Sequence, residues 1–442
     1  MSKNSSKPEP NIEPYLSVGL DVGADFTFMS MALPNGTFVG KPFKIIHNNP
    51  ESRELAVKKI EEAQERFSLK SICFFESTGI YHIPLMRFLS DKGFVCETIN
   101  PIITKNSTNI GIRKVHNDKF DSKKLATIGL MSSVKTSIMP SDEVVNLRNL
   151  VRDYFYFKDL QSAIIMKLTA ELKVSFPQYK GIFSKITTKT SLKLLESYPL
   201  AKNILEADKD NIVELIRSTA RFGEKYAKTK YDVLIAAAQD ATIFGRSIDS
   251  NATRIQLYVR QINFYQTQID ELLIALHKTV NNLNDSTIRE RINLLQTLYG
   301  VGFLSAVVLI AEMGSFELFS SPKKLFAYFG LDPAVKQSGK FTGDKVHMSK
   351  RGSKLARRVL HMIAINNLKV SGKEKIPVNH VIHDYYVAKC SSKKKNVAVG
   401  AIMHKICNII FAMLRDNKPF EIITPVEHCK RFSETKSTKN VA

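Results

Sequence analysis

Two short apolar runs in this chain each lead into an acid. Leu16–Leu20 is followed by Asp21 within Gly-Leu-Asp-Val-Gly, and Ser71–Phe75 by Glu76 within Phe-Phe-Glu-Ser-Thr-Gly. Runs of this length and composition read as buried strands. A carboxylate at the end of such a strand is costly unless something cationic compensates it. The chain must therefore fold so that these strand ends reach a polar, chemically useful place. Another pair, Asp118 and Asp121, stands three residues apart, so a helix points both the same way. Taken singly, each acid also has a plain structural role. Asp21 would serve a turn, Glu76 precedes a Ser77-Thr78-Gly79 capping sequence, and Asp118 and Asp121 would cap the Ser122–Leu130 segment. Converged, they would make a site for hard cations, since Mg²⁺ takes a few carboxylates plus water and substrate phosphate. Gly19 and Gly23 flank Asp21 and would leave room for that phosphate.

The segments around these acids are legible. Leu16–Leu20, Phe26–Leu33 and Phe38–Ile46 read as strands, with Pro34-Asn35-Gly36 turning the second into the third. Pro50 opens a helix, Ser71–Phe75 is a strand, and a helix around Pro84–Leu89 leads through Gly93 to the strand Phe94–Ile99. Three antiparallel strands followed by alternating helix and strand match an α/β ribonuclease-H-like domain, and also a generic doubly wound one. This domain is expected over residues 15–140, behind a disordered leader at 1–14. Over 141–290 helices dominate. Ile255, Val259, Ile262, Gln266, Ile269, Leu273, Leu276 and Val280 alternate spacings of four and three, an a/d seam with one polar member. Such a seam predicts oligomerisation or a long intramolecular hairpin, with Gln266 fixing register. A mainly helical C-terminal domain is expected over 291–420, followed by a basic tail at 421–442.

Charge narrows the partners. Lys and Arg total 64 against 42 Asp and Glu, a net charge of +22. That excess favours nucleic acid first and an anionic membrane second. The longest apolar stretch, near Val301–Ile310, falls well short of the roughly 20 residues that span a bilayer. The N-terminus lacks the apolar core of a secretory signal. The five cysteines show no Cys-x-x-Cys spacing, which argues against a zinc site or disulfide framework and for a cytoplasmic home.

Two further motifs lie in the C-terminal third. Gly300 and Gly302, between two apolar helices, resemble a helix-hairpin-helix element that lets backbone approach a phosphate. Ser338 lies in Gln-Ser-Gly within a polar loop, and a serine can attack phosphorus once its alkoxide is stabilised. Lys336, Lys340, Lys345, Lys350, Arg351, Arg357 and Arg358 surround it and would contact backbone phosphates without reading sequence.

These motifs together resemble the insertion-sequence one-ten family of transposases, relatives of the Piv DNA invertase. Gly-Leu-Asp21-Val, Glu76-Ser-Thr-Gly and Asn-Asp118-Lys-Phe-Asp121-Ser-Lys-Lys-Leu-Ala fit the family's Asp-Glu-Asp-Asp motifs in order. Tyr299-Gly-Val-Gly302, Phe329-Gly-Leu-Asp-Pro333, Ser338-Gly339 and Ser349-Lys-Arg-Gly352 fit its C-terminal domain. The resemblance implies a RuvC-like N-terminal domain whose four acids hold Mg²⁺, and Ser338 as the nucleophile of a covalent serine–DNA link. It implies element and target DNA as partners, a non-coding bridge RNA as guide, and a homo-oligomer, dimer or tetramer. A structure-specific endonuclease that activates water is the alternative. The helical middle is longer than is usual for the family.

Overall fold

The computed structural model describes residues 13–76, 79–99, 101–106, 117–131, 136–138, 140–219, 223–333, 337–338, 341–342, 347–424, 426–427 and 429–430. The chain forms two compact units, residues 1–140 and 141–442.

The first unit is mixed α/β. It runs β1 (Leu16–Val22), β2 (Phe26–Ala32), β3 (Phe38–Ile46), α1 (Pro50–Phe67), β4 (Ser71–Glu76), α2 (His82–Asp91), β5 (Val95–Ile99), α3 (Pro101–Asn106), α4 (Asp118–Gly129) and β6 (Thr136–Ile138). The strands form one sheet in the order β3-β2-β1-β4-β5-β6. The first three are antiparallel, β1, β4 and β5 are parallel, and β6 returns antiparallel. The expected succession of antiparallel strands and then alternating helix and strand is therefore present.

β1 shows different chemistry on its two faces because side chains alternate along a strand. Leu16, Val18 and Leu20 are fully buried and join Ile60 of α1 and Leu89 of α2 in one core. Tyr15, Ser17 and Gly19 face α4 instead. The Tyr15 hydroxyl donates to the Gly129 carbonyl at 2.6 Å, and Ser17 Oγ to the Ala126 carbonyl at 2.7 Å. A Cβ on Gly19 would lie 2.2 Å from both the Ala126 nitrogen and the Ser122 oxygen. Helix α4 thus runs antiparallel along β1, matching each two-residue strand step with about one helical turn. The expected role of Gly19 is corrected: its missing side chain admits a helix, not a phosphate.

The second unit is mostly helical. It contains α5 (Asp142–Ser175), α6 (Lys189–Ser197), α7 (Ala201–Glu206), α8 (Lys209–Thr219), α9 (Glu224–Phe244), α10 (Asp249–Asn281), α11 (Ser286–Gln296), α12 (Phe303–Met313), α13 (Pro322–Tyr328), α14 (Lys354–Asn367), α15 (His380–Cys390) and α16 (Lys395–Asp416). Two short ribbons interrupt them: β7 (Gln337–Ser338) with β8 (Phe341–Thr342), and β9 (Val370–Ser371) with β10 (Ile376–Pro377).

The predicted seam lies on α10 and packs within the chain along α5, from which α6–α9 separate it in sequence. Gln161 of α5 donates to the Gln266 side chain at 3.0 Å and to the Ile262 carbonyl at 3.2 Å, which ties the polar seam position to one register. The α5–α10 pair bridges two hydrophobic cores. At one end Ile255, Val259 and Ile262 pack with Leu168, Leu172 and helices α6–α9. At the other, Leu276 and Val280 join Val144 and Leu147 and a core that continues through α11–α16. Among the described residues, α16 is long and apolar enough to cross a membrane, so the expectation drawn from the stretch near Val301–Ile310 is corrected. Its Ile402, Ile406 and Ile410 are fully buried in that second core.

Candidate functional site

Asp21 follows Leu20 on β1, and Leu20 pairs in register with Phe75, the residue before Glu76 on β4. Both acids therefore reach the same C-terminal edge of parallel strands, where open α/β sheets place ligands. By strand alternation both occupy the face that α4 covers. Phe74, two residues before Glu76, packs with Leu125 and Ile128 of that helix. The antiparallel run of α4 then brings its first turn, with Asp118 and Asp121, to the Asp21 end of β1.

Electrostatics agrees with the convergence. The Asp21 pKa is pushed up from 3.8 to about 7, first by burial and then by the charges of Asp121, Asp118 and Glu76. The capping role considered for Asp118 and Asp121 belongs to Asn117, whose side chain accepts from the Lys119 nitrogen. The other considered cap, Ser77-Thr78, lies outside the described residues.

Sequence reasoning missed the residue that holds Glu76. Thr104 on α3 is buried, and its Oγ1 lies 2.7 Å from Glu76 Oε1 and 2.9 Å from the Pro101 carbonyl. Lys124, one turn beyond Asp121, donates to the Thr104 carbonyl and ties α3 to α4. A lone threonine after Asn-Pro gives no local signal of this, because the contact spans 28 residues.

All four acids offer hard oxygen donors, and their mutual charge is what a divalent cation would relieve. Among the described residues no three His, Cys, Asp or Glu side chains stand close enough to hold an ion as they are. The fit is thus one of donor chemistry and charge.

Ser338 lies in the second unit. It pairs with Phe341, and Gln337 with Thr342. Gly339, Lys340, Lys336 and Lys345 lie outside the described residues. The base of this ribbon is closely built. Pro333 bridges Met348, the Ser349 nitrogen donates to the Asp332 carbonyl at 2.7 Å, and Ser349 Oγ donates to the Asp332 carboxylate. The two chain segments cross at Gly330 (φ +68°) and Gly352, where a Cβ on Gly352 would fall 2.1 Å from the Tyr328 oxygen.

The expected phosphate contacts divide. Lys350 and Arg351 are exposed. Arg357 instead donates to the Phe329 and Gly352 carbonyls at 3.0 and 2.8 Å, and burial lowers its pKa. Arg358 pairs with Asp159 at 2.7 Å and lies 4.8 Å over the Phe155 ring. Both arginines hold the unit together, a role their place in a basic run concealed. Gly300 is also corrected. It sits at φ +78°, and a Cβ there would meet Asn366 Cβ at 2.7 Å, so α14 fills the space expected for a phosphate. Gly302 caps the N-terminus of α12 and leaves the space beside it open.

Comparison with known proteins finds two matched segments, the first of which extends from the first unit into α5. Residues 18–177 match a transposase model for the Asp-Glu-Asp-Asp domain of IS110 elements, and residues 292–376 match the model described as transposase IS116/IS110/IS902 family. An insertion element IS110 43.6 kDa protein of Streptomyces coelicolor is 24% identical over 232 residues, covering 52% of this chain and 53% of that protein. The pilin gene-inverting protein of Moraxella bovis is 29% identical over 155 residues, covering 35% of this chain and 45% of that one. The chain thus matches about half the length of these relatives. The two matched segments together take up more than half of the sequence, so this chain belongs to the IS116/IS110/IS902 family of transposases.

Proposed function

We propose that this protein is a DNA recombinase with an active site in two parts: a ribonuclease-H-like carboxylate cluster and a nucleophilic serine. The observation that carries the first part is the state of Asp21, which burial first and then three other acids push to about 7. A fold does not gather such charge at a strand edge for stability, and acids perturbed by burial and by one another are candidates for chemistry. Asp21, Glu76, Asp118 and Asp121 would hold Mg²⁺, which when bound neutralises charge developing on phosphate oxygens.

Ser338 is the proposed nucleophile. Its Oγ forms a bond to the scissile phosphorus while the bond to the departing strand's oxygen breaks. The serine proton is lost and the departing oxygen gains one. The bond energy stays in a phosphoserine ester, ready for rejoining. Membership of the family supports this reading, as does the fixed base of the Ser338 ribbon. The Moraxella relative's name, gene-inverting, describes the same reaction class of cutting and rejoining DNA. Element and target DNA, a guide bridge RNA and assembly as a homo-oligomer complete the proposal.

The test is covalent trapping on labelled element-end DNA. An adduct that forms with the native chain and disappears in both Ser338→Ala and Asp21→Ala supports it. Cleavage that persists in Ser338→Ala but not in Asp21→Ala would replace it with a nuclease that activates water.

A further inference from the structure

The β9–β10 hairpin and the segment after α15 gather exposed lysines along one stretch of chain. Lys369, Lys373 and Lys375 flank and tip the hairpin, and Lys393, Lys394 and Lys395 follow α15. All six are exposed, and among the described residues none is ion-paired with a carboxylate. Some lysines in other parts of the chain are paired: Lys92, Lys193, Lys202 and Lys228 each lie against an acid, at 2.8, 3.3, 2.9 and 2.7 Å. Only Glu374 and Asp384 interrupt the basic stretch from 369 to 395.

The hairpin is also anchored more firmly than its length requires. The Val378 nitrogen donates to the Lys369 carbonyl at 2.9 Å and closes it. Beneath it, Asn379 donates to Asn367 at 3.0 Å, and Asn367 donates to the Tyr299 and Ile363 carbonyls at 2.7 and 2.9 Å. Both asparagines are essentially inaccessible, at 0% and 1% exposure. Buried polar networks of this kind fix position, because a partly satisfied one is costly. Lys375 at the tip holds φ +51°, a left-handed state that L residues with side chains rarely adopt. Val370 and Ile376 stay 46% and 56% exposed along the ribbon, although a core lies directly below.

We infer that this hairpin and the Lys393–Lys395 turn form one ridge that binds the phosphate backbone of duplex DNA. The inference rests on the proposed DNA activity and assigns to it residues other than those of the Ser338 loop. Helix α15 separates the two lysine groups by 11 residues, about 16 Å of helix. Duplex DNA carries one charge per roughly 1.7 Å of its axis, so about ten phosphates lie opposite that span. A ribbon with lysines at its edges and apolar side chains along it suits a groove.

The experiment uses the full chain, a short random-sequence duplex, and single-stranded RNA of equal length, with affinity measured across a salt series. Lys373→Gln/Lys375→Gln and Lys393→Gln/Lys394→Gln/Lys395→Gln are each expected to weaken duplex binding. The slope of log affinity against log salt should become shallower by about 0.9 for each phosphate that the variant leaves unneutralised. Lys202→Gln/Lys228→Gln removes two charges from paired positions, as many as the hairpin variant, and should change the slope less per charge removed than either ridge variant. Variants that match this control, or that bind RNA alone more weakly, overturn the inference. Covalent trapping is run beside it. Native chain that forms the adduct while ridge variants bind like the control defeats the ridge alone. Ridge-dependent binding without an adduct defeats only the recombinase reading.

Discussion

Asp21→Asn is expected to stabilise the first unit at pH 8 while abolishing its chemistry. The native pKa of about 7 lies above the unfolded value of 3.8. Between those values the folded state keeps a proton that the unfolded chain releases. Stability from this group is therefore complete below pH 3.8, declines as pH rises, and is gone above about 7. At about 1.4 kcal/mol per unit, the shift has a ceiling of about 4 kcal/mol. The carboxyl is only partly buried, and solvent screening brings the expected effect down to about 2 kcal/mol. Asparagine fills the same space without ionising, so the variant should gain about that much at pH 8 and little near pH 3. Hydrogen exchange of the β1 amides reads the first unit alone, and comparing both proteins at one pH cancels the intrinsic rate. Added Mg²⁺ should narrow the gap, because binding to the native acids stabilises wild type through mass action. A variant that is destabilised at pH 8, or whose effect is the same at both pH values, would refute the account of four crowded carboxylates.

Other outcomes follow from single contacts. Gly19→Ala places a methyl against α4 backbone and should cost about 3 kcal/mol in the first unit; it should also lower the Asp21 pKa, readable by carboxyl NMR titration, as Asp118 and Asp121 are displaced. Thr104→Val removes the donor to Glu76 and should slow strand cleavage about fivefold, roughly 1 kcal/mol, with Thr104→Ser restoring most of the rate. Glu312 is 3% exposed and takes two hydrogen bonds from Arg152 at 2.8 and 3.0 Å. Glu312→Ala should therefore cost about 3 kcal/mol, seen as a lower urea midpoint for the second unit with β1 exchange unchanged.

The strands of the first unit and the seam of α10 were legible because each is written in a local period: apolar runs bounded by turns, and a repeat of four and three. The acids were legible as candidates for a related reason, since a carboxylate beside an apolar run stands out in one dimension. Thr104, Asn117 and the closing contacts of Asp332 were not. Their importance lies in what they touch, and the bond from Thr104 to Glu76 crosses a helix and a strand. The arginines failed in the opposite direction. Arg357 and Arg358 look like free charge in a basic run, and only packing shows their guanidinium groups held by carbonyls, a carboxylate and an aromatic face.

By itself the sequence determined which segments are strands and helices, that the chain carries excess positive charge, and which acids and serine are candidates for chemistry. Those properties belong to residues and their near neighbours, and period and composition report them directly. Tertiary structure decided what each glycine is for, which partner the seam takes, and that Asp21 meets Asp118 and Asp121. That meeting depends on α4 lying antiparallel on β1. The contact is possible because Gly19 has no side chain, and its partners Ser122 and Ala126 are more than a hundred residues away.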